Sequence, residues 1–124
     1  MQILANDLSV NLRRDRPVTL AKALEVIAKA GINIEGYAEI EGIFHVLTQD
    51  AAATRRALEA AGLEVRGAQQ VLVVNLEDRP GEAADIFRRI ANAGLSVNFS
   101  YVATNNRVVI GASNLQNVSE LFPE

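Results

Sequence analysis

Two segments of this sequence are so alike that they describe one structural element used twice. Residues 10–31 read VNLRRDRPVTLAKALEVIAKAG, and residues 74–94 read VNLEDRPGEAADIFRRIANAG. With one residue of the first segment looped out, the letters VNL and DRP and the final AG coincide. A period of about 63 residues is longer than the repeats of solenoid proteins, so it indicates a duplicated compact unit.

The hydrophobic period changes within the first copy. Residues 8–12 alternate between apolar and polar as a strand does, and the apolar residues that follow recur at helical spacing up to Gly31, which suits a helix end. Gly42 interrupts a second alternating stretch, which predicts a hairpin. The Ala-rich stretch that ends at Gly62 favours a helix. The remaining predicted elements of this copy are strands 32–40 and 43–48 and helix 51–61.

The second copy repeats this order. Its predicted elements are strand 70–76, helix 81–93, strand 95–103, turn 104–106, strand 107–112 and a last helix that starts at Asn114. Residues 63–67 would give the first copy a closing fourth strand, but the second copy has none before Glu124, which leaves a sheet edge open. We therefore predict an α+β fold of two tandem ferredoxin-like units, residues 1–68 and 69–124, each with an antiparallel sheet and helices on one face.

Composition excludes several classes of function. Apolar residues make up 49% and charged residues 22%, which favours a packed interior over disorder, and cysteine is absent. The net charge of −3 disfavours nucleic acid as a partner. No apolar run approaches the ~20 residues of a membrane span, and the N-terminal sequence lacks the features of a signal peptide, so we expect a cytoplasmic protein.

The repeated motif resembles the signature of the ACT domain. The second copy, DRPGEAADIFRRIANAGLSV, looks like the Asp-x-Pro-Gly loop that joins the first strand of that domain to its first helix, and DRPVTLAKALEVIAKAGINI matches it too. The chain is similar to small stand-alone proteins with two such units. Two departures are Val18, where the family prefers Gly, and the missing last strand.

The resemblance implies a regulatory protein that binds a free amino acid between its two units. A helix start offers unpaired N–H groups and a partial positive charge to a carboxylate, and Gly81 leaves room for a ligand beside the backbone. Side chains or carbonyls on the second strand of the other unit would accept from the ammonium group. The preferred site comprises Asp78, Arg79, Pro80, Gly81 and Glu82 with Asn33, Ile34 and Glu35. The weaker site comprises Arg16, Pro17 and Val18 with Asn98 and Tyr101.

Plainer explanations exist for the same residues. Asp and Pro are good helix-start residues whatever the loop binds, and Asn33 and Asn98 could simply be polar residues on an open sheet face. His45, the only histidine, receives no catalytic role. No nucleophile with a base, no metal cluster and no cofactor motif is legible, so we do not expect an enzyme.

These observations lead to ranked functional hypotheses. The first is an amino-acid sensor that passes its state to a regulated enzyme, the second is an assembly module without a ligand, and the third is a small enzyme. Val71 and Val73 alternate with Leu72 and Val74, so this strand is apolar on both faces. Because helices would cover only one face, we also predict a homodimer.

Overall fold

The chain forms two compact units in a computed structural model that describes residues 2–12 and 19–123. The first unit is Asn6–Gln69, and the second is Gln70–Glu124 with Met1–Ala5. The elements in chain order are β1 Gln2–Asn11, α1 Thr19–Lys29, β2 Gly36–Ile40, β3 Ile43–Leu47, α2 Ala51–Ala60, β4 Glu64–Asn75, α3 Glu82–Asn92, β5 Phe99–Ala103, β6 Arg107–Gly111 and α4 Leu115–Ser119. Both units are ferredoxin-like α+β structures, as the sequence predicted.

The first unit places β3 between β1 and β2, with both pairs antiparallel. Val10 lies opposite Phe44, and Tyr37 lies opposite Val46. Glu41 and Gly42 both have positive φ, of 49° and 87°, which is the conformation of a tight two-residue hairpin turn. The turn therefore sets the register that turns Phe44 and Val46 to the core.

The two helices of this unit cover the same face of its sheet. Their buried residues Ala23, Ile27 and Leu58 pack with strand residues in one apolar cluster. The Asp50 side chain accepts a hydrogen bond from the Ala53 N–H at 3.0 Å and so caps the start of α2. Gly31 has positive φ two residues after the last residue of α1, at the helix end that the sequence predicted.

The second unit has the matching arrangement, with β6 between β4 and β5 in an antiparallel sheet. Its core joins both helices and the residues after α4 to strands β4 and β6, and its buried members are Leu72, Val74, Ile86, Ile90, Val108, Ile110, Ala112, Val118 and Phe122. Each copy of the repeat therefore builds an apolar core of its own.

Besides β1, which begins at Gln2 although the alternation predicted a strand only over residues 8–12, the strands differ from the predicted ones at three places. Residues 32–35 and 95–98 are not part of any strand, although they alternate as predicted. Ile32 and Ile34 pack against the first core, so the alternation records burial in a connection. The two strands predicted at 63–67 and 70–76 are one continuous strand, β4, because Gly67 lies in extended backbone without positive φ and does not interrupt it.

The sequence predicted a closing fourth strand for the first unit and an open sheet edge for the second, and both predictions can be compared with the structure. In the first unit, the start of β4 lies beside the end of β1, where Asn11 Nδ2 donates to Glu64 Oε1 at 3.5 Å. In the second unit, no strand follows α4 in the described chain up to Pro123. The beginning of β1 belongs to this unit instead, and Gln2 Nε2 donates to the Ser119 carbonyl at 3.1 Å.

The apolar residues on both faces of β4 are already buried in a single chain. Val71 and Val73 are as inaccessible as Leu72 and Val74, and so is Val109 on β6. The expectation that a second copy must cover one face therefore loses its physical basis. The homodimer itself stays a prediction.

Candidate functional site

The loop between β4 and α3 is compact because its backbone makes hydrogen bonds along its length. Leu76 N–H donates to the Asn106 carbonyl at 2.6 Å, which ties the end of β4 to the turn between β5 and β6. Arg79 N–H donates to the Glu77 carbonyl at 2.8 Å. Asp78 and Pro80 are exposed positions of this loop. The chain thus enters α3 through a defined turn.

Gly81 is the N-cap of α3 and has φ 89° and ψ −7°, in the left-handed region. Residues with a Cβ are strained in this conformation, so the backbone alone accounts for the glycine. A Cβ at this position would meet no atom within 4 Å, which means that the space beside the backbone is open. Both explanations considered for Gly81, the turn and the open approach, are therefore compatible with its geometry.

Arg79 lies in a cluster of carboxylates on the same loop and helix. Its Nε is 3.1 Å from Glu77 Oε2, and its Nη2 is 2.6 Å from Glu82 Oε1. Asp85 Oδ2 is farther from the same nitrogen, at 3.8 Å. The hydrogen bond with Glu77, and then the charge of Glu82, raise the pKa of Arg79 above its ordinary value. The guanidinium is thus paired with carboxylates of the same loop and helix.

Glu82 closes the loop from the helix side. Besides its contact with Arg79, its Oε2 accepts a hydrogen bond from the Glu77 N–H at 3.2 Å. Its side chain is only 15% exposed, in contrast with Glu77 and Asp85, which are mostly exposed. One carboxylate therefore holds both the backbone at the loop entrance and the arginine at its tip.

A cleft of about 310 Å³ opens beside this loop, within the second unit. Its lining comes from the end of β4, the loop, α3 and the segment after α4. Arg89 Nη1 donates to the Leu121 carbonyl at 3.3 Å, and its guanidinium carbon lies 5.2 Å from the Phe122 ring centre. The lining residues are Val74, Asn75, Arg79, Glu82, Asp85, Ile86, Arg89, Phe122 and Pro123.

The other residues of the preferred site belong to the first unit. Asn33, Ile34 and Glu35 lie between α1 and β2 rather than on a strand. Asn33 is exposed, Ile34 packs against the core, and Glu35 N–H donates to the Leu47 carbonyl at 2.9 Å. The sequence prediction that these residues face the Arg79 loop stays a prediction.

Only part of the weaker site can be placed. Arg16, Pro17 and Val18 lie outside the described residues. Asn98 precedes β5, and its Nδ2 donates to Ser113 Oγ at 3.1 Å. Tyr101 is buried on β5, where its ring stacks on Phe99 at 6.3 Å. The binding role predicted for Asn98 and Tyr101 stays a prediction.

Sequence reasoning missed a polar pair in the first unit. His45 Nδ1 lies 2.8 Å from Asp7 Oδ2, and the Asp7 side chain is only 1% exposed. Asp7 lies opposite Leu47 and Ser9 lies opposite His45, so the two residues meet diagonally across β1 and β3. Their separation of 38 residues hides the pair from any local pattern.

Two kinds of feature are absent from the residues that the structure describes. Residues 2–12 and 19–123 contain no group of three or more His, Cys, Asp or Glu side chains that could hold a metal ion. Among the helices of the same residues, none is long and apolar enough to cross a membrane.

Comparison with known proteins extends the resemblance over nearly the whole chain. Residues 3–121 match a family model described as an ACT domain pair. None of the curated proteins matches the sequence.

Several solved structures are similar to nearly the whole of this chain. A protein of Bacteroides thetaiotaomicron is 26% identical, with a TM-score of 0.78 over 97% of this chain and 87% of that one. The regulatory subunit of aspartate kinase from Thermus thermophilus, in a ligand-free form, is 21% identical, with a TM-score of 0.60 over 98% and 97%. The corresponding subunit from Thermus flavus is 19% identical, with a TM-score of 0.63 over 99% and 96%. At these identities the two kinase subunits establish a common fold.

Proposed function

The chain belongs to the family of ACT domain pairs, and from this membership we propose that it is a regulatory protein that senses a free amino acid. The loop Asp78–Glu82 is the proposed binding segment. Its occupancy would be passed to a regulated enzyme, and the chain itself would carry no catalytic activity. We propose that it acts in the cytoplasm, as a homodimer.

The observation that carries this proposal is the combination of groups at the start of α3. The first N–H groups of a helix have no intrahelical acceptor, and the helix dipole favours a carboxylate there. The Arg79 guanidinium lies at the same loop, and carboxylates that could receive an ammonium group lie on either side of it. A zwitterion needs both kinds of partner, and this loop offers both within a few ångströms.

The matched structures support the regulatory part of the proposal. Two of them are regulatory subunits of aspartate kinase by name. Residues 3–121 of this chain match an ACT domain pair, and the chain shares the fold of those subunits. We therefore propose a partner enzyme whose activity changes with the supply of an amino acid.

Thermal unfolding of the purified chain with each of the standard amino acids tests the proposal. A ligand that binds only the folded state raises the melting temperature. At a ligand concentration of 100 times its Kd, it adds about 2.7 kcal/mol to the free energy of unfolding. We expect a raised melting temperature with one or a few amino acids and a reduced shift for Arg79→Gln. Arg56→Gln is the matched control, because Arg56 is an exposed residue on α2 of the other unit. A flat panel at millimolar ligand would refute the sensor function.

Exposed apolar side chains support a second candidate, an assembly module that holds another protein. Ile40 on β2 and Val102 on β5 are 64% and 65% exposed. Large exposed apolar residues are typical of protein contact surfaces when they cluster. Capture of a partner that is unaffected by amino acids, together with the loss of that capture in Ile40→Ser or Val102→Ser, would favour this function.

A further inference from the structure

We infer that the solvent-facing side of α3, together with an uncovered part of β5, binds a second copy of this chain, with the two α3 helices antiparallel about a two-fold axis. The inference rests on the homodimer, which is part of the proposed function, and adds the surface through which it forms. No ligand takes part in this association. The dimer can therefore be tested separately from amino-acid sensing.

The outer side of α3 carries an open, mostly apolar groove of about 480 Å³. The groove is lined by residues of this helix, which we call the α3 face: Ala84, Asp85, Phe87, Arg88 and Ala91. Positions 84, 87, 88 and 91 follow the i, i+3, i+4, i+7 spacing of one side of a helix. The small side chains at both ends of this side let the backbone of another helix approach closely.

The sheet of the second unit has no helix over β5. Val102 lies directly opposite Val108, so the two side chains point to the same face of the sheet. Val108 is buried in the core that α3 helps to form, whereas Val102 is 65% exposed. Ser100 lies opposite the buried Ile110 in the same way and is exposed. The helix layer therefore ends before β5 and leaves Ser100 and Val102, the β5 strip, open.

The charges on the α3 face are complementary to themselves under a two-fold axis. Asp85 and Arg88 are exposed and lie three residues apart, on the same flank of the helix, whereas Phe87 lies on the other flank. A two-fold axis that makes two helices antiparallel brings equal flanks together and reverses the order of residues along them. Asp85 of one copy then meets Arg88 of the other, the same pair forms a second time, and the two Phe87 rings meet on the opposite flank.

A second α3 would complete the helix layer of this unit. The segment after α4 borders α3 at Arg89, whose guanidinium carbon lies 5.2 Å from the centre of the Phe122 ring. Phe87 precedes Arg89 by two residues and so points about 160° away from it around the helix. The layer is therefore open on the Phe87 flank. The α3 helix of the second copy occupies this side and covers the β5 strip, which removes Val102 from water and favours association.

Analytical ultracentrifugation of the full chain without ligand tests this inference. Because α3 has 11 residues and is about 16 Å long, the interface is small, and we expect a dimer with a Kd in the micromolar range. Asp85→Arg and Arg88→Asp each place like charges opposite one another twice, so each should weaken the dimer by about tenfold or more. Arg56→Asp is the matched control, because Arg56 is exposed on α2 of the other unit, and its Kd should change by less than about twofold.

Mixing the two variants gives the most specific measurement. The Asp85→Arg chain has two cations at positions 85 and 88, and the Arg88→Asp chain has two carboxylates there. The mixture should therefore form a heterodimer at a concentration at which each variant alone is monomeric. The doubly exchanged chain, with both Asp85→Arg and Arg88→Asp, should form a homodimer again, because the exchange preserves every pair across an antiparallel contact.

The possible failures are distinguishable. A monomer at concentrations up to about 500 µM refutes the interface and the homodimer together, and the sensor function stands. A dimer that both single variants retain at unchanged affinity refutes the α3 face and leaves the homodimer. Loss of the dimer in the single variants without recovery in the mixture or in the doubly exchanged chain refutes the antiparallel pairing. Melting temperatures of the variants, expected near that of the unsubstituted chain, separate loss of the dimer from loss of the fold.

Discussion

Gly81 and Gly67 lie in backbone conformations that make opposite demands on a side chain. Gly81 has φ 89° at the N-cap of α3, whereas Gly67 lies inside β4 without positive φ, and a Cβ would be free of close contacts at both. We expect Gly81→Ala to lower the free energy of unfolding by about 1–2 kcal/mol, because an L-residue is strained in the left-handed region. Gly67→Ala should change it by less than about 0.5 kcal/mol or raise it slightly. Urea denaturation measures both, and equal losses would contradict the conformational explanation.

The Asp7 and His45 pair makes a second prediction at the level of residues. His45 Nδ1 and Asp7 Oδ2 are 2.8 Å apart, and Asp7 is almost fully buried. Replacing His45 with Ala leaves a buried carboxylate with one hydrogen bond fewer, which should cost about 1–3 kcal/mol of stability. A double-mutant cycle with Asp7→Asn measures the interaction itself. Additive effects of the two substitutions would show that the pair contributes nothing to stability.

Gly111 illustrates a requirement for glycine that comes from a neighbouring side chain. Gly111 lies opposite Phe99 across β5 and β6, and a Cβ on it would lie 2.3 Å from the Phe99 ring. We expect Gly111→Ala to cost about 1–3 kcal/mol, because the ring must leave its position against the strand. Adding Phe99→Leu should recover part of that loss in chemical denaturation. A full-sized loss in the double variant would point to the backbone of β6 instead.

At the level of elements, local signals in the sequence predicted what local interactions determine. The ends of α1 and α2 follow from Gly31, Asp50 and Gly62, each of which acts within a few residues of the helix. Strand boundaries were less predictable, because apolar alternation reports burial and not pairing. Residues 95–98 are an example: Leu95 and Val97 pack against the second core although this stretch forms no strand. The cleft depends on the position of Phe122 relative to α3, which no local pattern encodes.

The loop between β4 and α3 makes a prediction at this scale. Glu82 accepts from the Glu77 N–H and from Arg79, so it connects the loop to the first turn of α3. We expect Glu82→Ala to speed the exchange of the Glu77 amide hydrogen, because that N–H loses its acceptor. Glu59→Ala is the control, since Glu59 forms only an exposed pair with Arg55 on α2 and such pairs contribute little. Unchanged exchange at Glu77 in Glu82→Ala would contradict the role assigned to Glu82.

At the scale of the molecule, the two units have separate cores but share strands. Residues of both units occur in β1 and in β4, because the boundaries at 5/6 and 69/70 fall inside these strands. Because the backbone of each of these strands continues from one unit into the other, unfolding of one unit would release one end of a strand that belongs to the other. We therefore predict one cooperative transition for the whole chain.

Large-to-small substitutions in each core test this cooperativity. Leu58→Ala in the first core and Ile90→Ala in the second both empty a fully buried position and should each cost about 2–5 kcal/mol. If the units unfold together, each substitution lowers the opening free energy that hydrogen exchange measures for amides in β3 and in β6 alike. Both strands then report the same global opening. If Leu58→Ala weakens protection only in β3 and Ile90→Ala only in β6, the units unfold independently. Ligand added to the Ile90→Ala variant extends the same measurement to function, because in a cooperative pair an amino acid bound beside α3 would restore protection in β3 of the other unit.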